Sequence, residues 1–362
     1  MRYFAEFLRK IGILTVVVED VTAVNVDLIS NDKMAMSYIE PGTDKEQSKE
    51  FTLPCECDPI PLEQLPSFKE SSRNVFTLRR KISQPKPFSS TSADILLRWD
   101  DEGKWHKKDL ESLGNFSLRC KKCKKQILPV EGIPMRLSSL PSENWYELMD
   151  YWHCHKPDIP TNGTMYQVSR NSLKPVKGEI LVGGSYFLIS TETADSIPLE
   201  INSSEDTILC KSCMTTRLGA MTSDGLFKIY KWSLLLDLGH KTEQFDPADD
   251  ILISLLDLAK NKSERYAILK QNGTEPTLVM LFATGNPVTL TDGSLLPNAI
   301  KLLYTQDKEL VSSTRAKHNP EELIPLREPY EDFMRKLATT NKLLPNEIAY
   351  FGPWNVSYLQ LS

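Results

Sequence analysis

The chain has 362 residues, of which 40% are hydrophobic, so it is long and apolar enough for two domains or one large one and is not a disordered tail. Its 43 basic and 48 acidic residues give a formal net charge of -5. This balance excludes a global positive field that would attract nucleic acid or a membrane surface, so any such contact must be local.

The sequence carries no readable secretion or membrane signal. The apolar run Ile11 to Val18 is short and leads directly into Glu19 and Asp20, and no window approaches the roughly 20 apolar residues of a membrane-spanning helix. We therefore expect a protein of the cytoplasm and nucleus, without a membrane partner. In that reducing setting the seven cysteines are expected to be metal ligands or free thiols rather than disulfides.

The first region, residues 1–115, is predicted to be β-rich. Its β-branched, alternating segments are typical of strands. Residues 54–66, acidic and proline-rich, and residues 83–92, rich in serine, threonine and proline, are predicted to be loops. The predicted strands are Leu14–Val18, Val21–Ile29, Phe51–Leu53, Val75–Leu78 and Ile95–Trp99.

The second region, residues 116–240, contains two CxxC pairs on either side of a predicted helix. Over residues 143–152 the apolar side chains recur at the spacing of one helical face, and Pro157 prevents continuation. Residues 178–190 are predicted to form a strand, with Gly183 and Gly184 at a bulge or a close approach. The apolar residues of the helical face are Trp145, Leu148, Met149 and Trp152.

The third region, residues 241–362, is predicted to be an α+β unit. One helix begins at Asp246 and Pro247 and reaches Ala259, and another is opened by Pro329 and stopped by Pro345. Strands are predicted at 277–283, 299–304 and 354–361. The whole chain is therefore expected to be α+β, with a β-rich N-terminal part and a zinc-binding centre.

The metal prediction rests on Cys120, Cys123, Cys210 and Cys213. Each pair follows an apolar strand-like segment, and two residues between cysteines let both thiolates face one ion. Two such knuckles complete a closed, tetrahedral four-cysteine site that binds structural zinc. The long gap between the pairs implies that the ion joins two parts of a larger domain. The alternative is a set of unrelated free thiols.

The tripeptide His153-Cys154-His155 allows three interpretations. One member could join or replace a ligand of the zinc site, although adjacent side chains diverge and rarely form a whole site. Cys154 could be a nucleophile: the end of the preceding helix raises a thiol pKa, whereas a protonated imidazole beside it lowers the pKa. The third interpretation is a packed helix end whose histidines bind nearby carbonyls.

A basic run surrounds the first CxxC pair. It could meet an acidic partner or phosphates, or it could simply solvate an exposed loop. Nucleic acid is not an expected partner, because no aromatic residues interleave with the charges. The run consists of Arg119, Lys121, Lys122, Lys124 and Lys125.

The order CxxC, then Trp145-Tyr-Glu-Leu-Met-Asp-Tyr-Trp152-His-Cys-His155-Lys, then CxxC resembles the HECT-like family that binds ubiquitin-conjugating enzymes (E2s). The resemblance implies a ubiquitin ligase whose partners are an E2 and ubiquitin. Relatives are also linked to pre-mRNA 3'-end cleavage and polyadenylation, so a subunit of that machinery is a further expected partner.

One feature departs from a HECT ligase. Transfer through a ligase thioester needs a cysteine nucleophile near the C-terminus, and no cysteine follows Cys213 in this sequence. Cys154, and after it Cys55 or Cys57, are the candidates for a thioester. We expect instead that the protein holds a charged E2 beside a substrate without a covalent intermediate.

The predicted function is thus a ubiquitin-protein ligase or ligase-like adaptor, with Cys154, His153 and His155 as the candidate catalytic residues. The alternative is a non-catalytic binding or regulatory protein for a nuclear partner such as a polyadenylation subunit. A metal-dependent hydrolase using His153 or His155 ranks third, because no carboxylate base accompanies them.

Overall fold

A computed structural model describes residues 1–43, 45–56, 69–82, 104–130, 132–140, 174–202 and 205–362. The described chain is α+β and rich in strands, which confirms the predicted class. Packing groups it into two compact units, Met1–Trp99 with Asn261–Gln360, and Asp100–Lys260 with Leu361–Ser362. The division into regions 1–115, 116–240 and 241–362 stays a prediction along the sequence.

The elements follow one another in three stretches. The first has strands β1 (Arg2–Leu8), β2 (Ile13–Glu19), β3 (Ala23–Ser30), β4 (Lys33–Ile39), β5 (Glu46–Thr52), β6 (Lys69–Ser72) and β7 (Val75–Lys81). The second has α1 (Lys107–Leu113), β8 (Ser117–Cys120), β9 (Gln126–Leu128), β10 (Arg136–Ser139), β11 (Glu179–Val182), β12 (Tyr186–Ile189), α2 (Thr191–Ala194), β13 (Leu199–Asn202), β14 (Thr207–Cys210), β15 (Arg217–Met221), β16 (Phe227–Tyr230), a 3-10 turn (Lys231–Ser233), β17 (Leu234–Asp237), β18 (Thr242–Gln244) and α3 (Pro247–Asn261). The third has β19 (Tyr266–Leu269), β20 (Thr277–Thr289), β21 (Leu295–Thr305), α4 (Lys308–His318), β22 (Glu321–Leu323), α5 (Arg327–Lys342), α6 (Asn346–Ala349), β23 (Tyr350–Phe351) and β24 (Trp354–Leu359).

The first unit is built on a sheet of strand order β23-β24-β21-β20-β1-β2-β7-β6, extended by β19 and β22. Strand β1 pairs antiparallel with β2 and with β20, which places Ala5 opposite Thr289. Successive β1 side chains face opposite sides of the sheet. Tyr3, Ala5 and Phe7 therefore belong to one apolar cluster and Phe4 to another. The two ends of the sequence share one sheet because β1 pairs with β20, which is joined through β21 to β24.

Most of the strand and helix predictions in this unit are confirmed. The predicted strands at 14–18, 21–29 and 75–78 lie largely in β2, β3 and β7, while 51–53 only marks the end of β5. Strands β20 and β21 are longer than predicted, and the predicted closing strand is β24. Helix α5 ends at Lys342, shortly before Pro345. The segment Ile95–Trp99 lies outside the described residues.

The described residues of the second unit form two sheets. One has the strand order β10-β11-β12-β16-β15-β14-β13, and the other has the order β18-β17-β8-β9. The 3-10 turn Lys231–Ser233 connects β16 of the first sheet directly to β17 of the second. Helix α3 begins at Pro247, as the sequence predicts. The predicted helix over residues 143–152 lies outside the described residues.

The prediction of one strand over residues 178–190 is wrong. The segment forms two antiparallel strands, β11 and β12, in which Val182 lies opposite Phe187. Both strands are buried throughout, so their sequence has no polar alternation to mark where one ends. Gly183 lies at the turn and donates a backbone hydrogen bond to the Tyr186 carbonyl over 2.9 Å. A Cβ atom at Gly183 would lie 3.2 Å from that oxygen, a close approach.

Candidate metal centre

The first knuckle, residues 117–128, is a tight loop between β8 and β9. The amide of Cys120 donates to the Lys125 carbonyl over 2.8 Å, and the amide of Lys124 donates to the Cys120 carbonyl over 3.0 Å. Lys124 has a φ of 63°, a left-handed conformation that reverses the chain after Cys123. Both thiol side chains are thereby held on one short loop.

The second knuckle, residues 207–217, repeats this construction between β14 and β15. The amide of Cys210 donates to the Thr216 carbonyl over 3.0 Å, and the amide of Met214 donates to the Cys210 carbonyl over 2.8 Å. Met214, like Lys124, follows the second cysteine of its pair and has a positive φ, here 51°. The two CxxC sequences therefore fold alike.

The four sulfur atoms converge on one point. All lie within 4.8 Å of one another, although the two pairs are far apart in sequence. The Sγ atoms of Cys120 and Cys213 are 3.9 Å apart, and those of Cys123 and Cys210 are 3.6 Å apart. A tetrahedron with metal–sulfur bonds of about 2.3 Å has sulfur–sulfur edges of about 3.8 Å. The donor set fits one tetrahedral metal ion.

Each knuckle stands on a different sheet of the second unit. Cys120 lies opposite Leu234 of β17 in the smaller sheet, and Cys210 lies opposite Leu199 of β13 in the larger one. Cys120 and Cys210 are buried, whereas Cys213 is half-buried and Cys123 is exposed. An ion held by all four would fasten the two sheets together near the surface of the unit.

Ser233, which is not among the predicted site residues, contacts the first knuckle and strand β15, which follows the second. Its carbonyl accepts a hydrogen bond from the amide of Lys121 over 3.0 Å. Its hydroxyl, in a residue only 1% exposed, has one proton to donate and two carbonyl acceptors within reach, those of Tyr230 (2.7 Å) and Leu218 (3.1 Å). Nothing near Ser233 in the sequence marks this role, since the knuckles are distant along the chain.

The surroundings of the sulfur atoms shift the pKa values of Cys210 and Cys213 in opposite directions. Burial raises the pKa of Cys210 to about 12. Hydrogen bonds with Thr215 and Thr216 lower the pKa of Cys213 to about 5, and the two threonines follow the CxxC after a single residue, Met214. A bound divalent cation favours the thiolate form of every ligand, because its charge is the largest in the site.

Of the other candidate site residues, the structure describes Cys55 alone. His153, Cys154 and His155 lie outside the described residues, and so does Cys57. Cys55 is 2% exposed and lies in the core of the first unit, among apolar side chains that include Met36 and Leu53. The catalytic assignment to the His-Cys-His tripeptide therefore stays a prediction.

No helix within the described ranges combines the length and the apolar composition needed to cross a bilayer.

Comparison with known proteins identifies the relatives of this chain. Residues 6–356 match the family described as HECT-like ubiquitin-conjugating enzyme (E2)-binding. The uncharacterized protein YJR141W of Saccharomyces cerevisiae is 33% identical over 361 residues, covering 100% of this chain and 99% of the yeast protein. No solved structure matches the chain.

More distant relatives carry a functional name. A protein of Mus musculus named as an E3 ubiquitin-protein ligase is 25% identical over 63% of this chain and 66% of its own length. The protein of the same name from Pongo abelii is 22% identical over 67% of this chain and 72% of its own length. None of these names refers to polyadenylation or to a cellular compartment. The polyadenylation partner and the localisation to cytoplasm and nucleus therefore stay predictions.

Proposed function

The chain belongs to the HECT-like family of E2-binding proteins, and on this premise we propose that it is a ubiquitin-protein ligase or ligase-like adaptor that promotes ubiquitin transfer from a bound E2. The observation that carries the proposal is the family match over residues 6–356, nearly the whole chain. Similarity to the two mammalian proteins named as E3 ubiquitin-protein ligases supports it. The partner of this protein is then an E2 carrying ubiquitin as a thioester.

The transfer we propose has no thioester on the ligase. The substrate lysine amine attacks the ubiquitin carbonyl carbon and forms an amide, and the carbon–sulfur bond to the E2 cysteine breaks. That sulfur leaves as a thiolate, and the amine releases one proton to water. Holding the two reactants together supplies the rate effect. Among the described cysteines, Cys55 is buried and the other four belong to the metal cluster. No cysteine follows Cys213 within the 362 residues.

We propose further that the ion of the four-cysteine cluster is zinc. Four thiolates in a tetrahedral arrangement are a donor set that zinc occupies in structural sites. Cys120, Cys123, Cys210 and Cys213 would each hold the zinc by one thiolate, and this set would leave no open position for a substrate. Its role in this protein is to hold the two knuckles in place.

Discharge of ubiquitin from purified, loaded E2s tests the ligase proposal. A panel of E2s carrying ubiquitin is incubated with free lysine, with and without the full-length protein, and the thioester band is followed on non-reducing gels. We expect at least one E2 to bind and to lose ubiquitin faster when the protein is present. If none binds, or if binding leaves the discharge rate unchanged, the ligase proposal is wrong.

Replacing Cys154 by Ser tests the covalent alternative. If ubiquitin transfer needs no ligase thioester, Cys154→Ser discharges the E2 at the wild-type rate, and wild type forms no reducible ubiquitin adduct. Cys55→Ser is the matched control, since it removes a thiol from the core of the first unit. A reducible adduct on wild type that is absent from Cys154→Ser would show that the non-covalent mechanism is wrong. Binding without accelerated discharge would favour a non-catalytic regulator.

A further inference from the structure

The tip formed by the two knuckles carries a dense positive charge. Residues 119–125 and 210–217 contain no acidic residue. Four of the lysines there are exposed, and together with Met214 they form the surface that we call the knuckle face. Its residues are Lys122, Lys124, Lys125, Lys211 and Met214.

The positive charge of this face is larger than the negative charge that a filled metal site would have. Four thiolates and one divalent cation leave two net negative charges, and the two knuckles supply more cations than that. Arg119 is already paired with Asp237, at 2.7 Å. No carboxylate of the described residues lies within ion-pair distance of the four lysines, although Lys124 donates to the Lys121 carbonyl over 3.0 Å. Within the described part of the chain the face therefore keeps an unneutralised positive charge, although the net charge of the whole sequence is -5.

The face also offers an apolar contact on a rigid support. Met214 is 52% exposed, although methionine is a largely buried residue type. Its backbone is fixed by the hydrogen bond to the Cys210 carbonyl and by the left-handed conformation of the loop. A preorganised surface loses little entropy on binding, and methionine adapts to varied partner surfaces. Lysines around an exposed methionine are suited to a protein surface that carries acidic side chains.

Nucleic acid fits this face less well. Binding to single strands relies on aromatic side chains that stack on bases, and neither loop contains one between residues 119 and 125 or between 210 and 217. The exposed apolar group, Met214, has no aromatic face. The chemistry of the face therefore favours an acidic protein over a phosphate chain.

We propose that the knuckle face docks the E2, through acidic side chains of the E2 that surround an apolar contact with Met214. This inference rests on the proposed function, which supplies the partner, and adds the surface. The positive charge of the face complements an acidic surface of the E2, and such complementarity governs the association rate and its dependence on salt. The metal cluster then acts in binding indirectly, by fixing the loops that present the lysines.

A charge-reversal variant tests the proposal. The triple variant Lys122→Glu, Lys124→Glu, Lys211→Glu changes the knuckle face, and the matched control Lys10→Glu, Lys69→Glu, Lys317→Glu makes the same change of charge at exposed lysines of the first unit. The probe is the ubiquitin-loaded E2 that binds wild type in the discharge panel. We expect its Kd to rise about tenfold or more for the knuckle variant and less than about twofold for the control.

Two further measurements accompany the affinities: their dependence on salt and the metal content of each variant. Wild-type affinity should fall between 50 and 300 mM NaCl, and the knuckle variant should lose most of that dependence. Both variants should keep the wild-type metal content.

The same change of affinity in the control, or equal E2 affinity of the knuckle variant and wild type, would overturn the docking proposal. Loss of binding to a single-stranded RNA oligonucleotide with E2 affinity unchanged would overturn it too. If wild type binds no E2, the proposed function itself fails.

Discussion

The sulfur of Cys120 lies 3.9 Å from that of Cys213, although 93 residues separate them in sequence. Cys123 is similarly close to Cys210, so each cysteine of one knuckle faces a cysteine of the other. An ion at their centre cross-links the chain across a large loop. Such a link stabilises the folded state through the binding free energy of the metal, which the unfolded chain lacks.

Replacing either Cys120 or Cys213 by Ser should remove the metal. We expect wild type to contain about one equivalent of zinc and either variant close to none, because closed four-thiolate sites tolerate loss of a ligand poorly. The melting temperature should fall by about 10 °C, the size of effect that the loss of a few kcal/mol produces. Inductively coupled plasma mass spectrometry and calorimetry measure both quantities. Cys55→Ala is the control and should keep the metal; full zinc in Cys120→Ser would contradict the assignment.

Removal of zinc by a chelator should loosen the knuckles more than the first unit. Without the ion, the amides of Cys120, Lys124, Cys210 and Met214 keep their carbonyl partners but lose the link that holds the loops together. Hydrogen–deuterium exchange should then accelerate in peptides covering 117–128 and 207–217. Peptides from β1 and β20 should change little, because their pairing lies in the other unit. Uniform acceleration in both units would contradict a local role.

The metal cluster was predictable because its signal is local. Two residues between cysteines, and strands on either side, fix the loop whatever the rest of the chain does. The pairing of β1 with β20 was not predictable, since it joins residues as distant as Ala5 and Thr289. The support from Ser233 was missed for the same reason. The turn at Gly183 was missed because the strands before and after it are both apolar.

Glu179 should make the stability of the second unit depend on pH. It is 6% exposed, and burial alone would raise its pKa, but hydrogen bonds from Ser138 and Arg136, both at 2.7 Å, together with the Val176 amide, hold the pKa below its ordinary value of 4.5. The charged form is thus favoured in the folded state. Its contribution is complete above the unfolded-state pKa and is lost as pH falls through the folded-state pKa.

The variant Glu179→Gln isolates this effect. At pH 7 we expect the free energy of unfolding to fall by about 1–3 kcal/mol, the cost of losing charged hydrogen bonds at a buried site. As pH falls below about 4.5 and through the lower folded-state pKa, the difference from wild type should shrink, because wild type loses the same contribution on protonation. Urea denaturation at several pH values measures the difference, with Glu205→Gln as an exposed control. A difference independent of pH would show that charge is not the cause.

We expect substitution of Gly219, in β15, to lower the stability of the fold. It lies opposite Ile229 of β16, and a Cβ atom added to it would come within 2.9 Å of the Lys228 carbonyl carbon and 3.1 Å of the Ile229 Cα atom. Both are backbone atoms, which cannot rotate away. Gly219→Ala should therefore cost about 3 kcal/mol or more, since overpacking forces the strands apart.

Gly225 provides the comparison for Gly219, because a Cβ atom there has no neighbour within 4 Å and only its φ of 76° opposes substitution. Gly225→Ala should cost about 1–2 kcal/mol, the strain of a left-handed alanine. Urea denaturation of both variants measures the difference. Because β15 follows the second knuckle directly, Gly219→Ala should also retain less zinc during dialysis than Gly225→Ala. Equal stability of the two variants would contradict the close packing of β15 against β16.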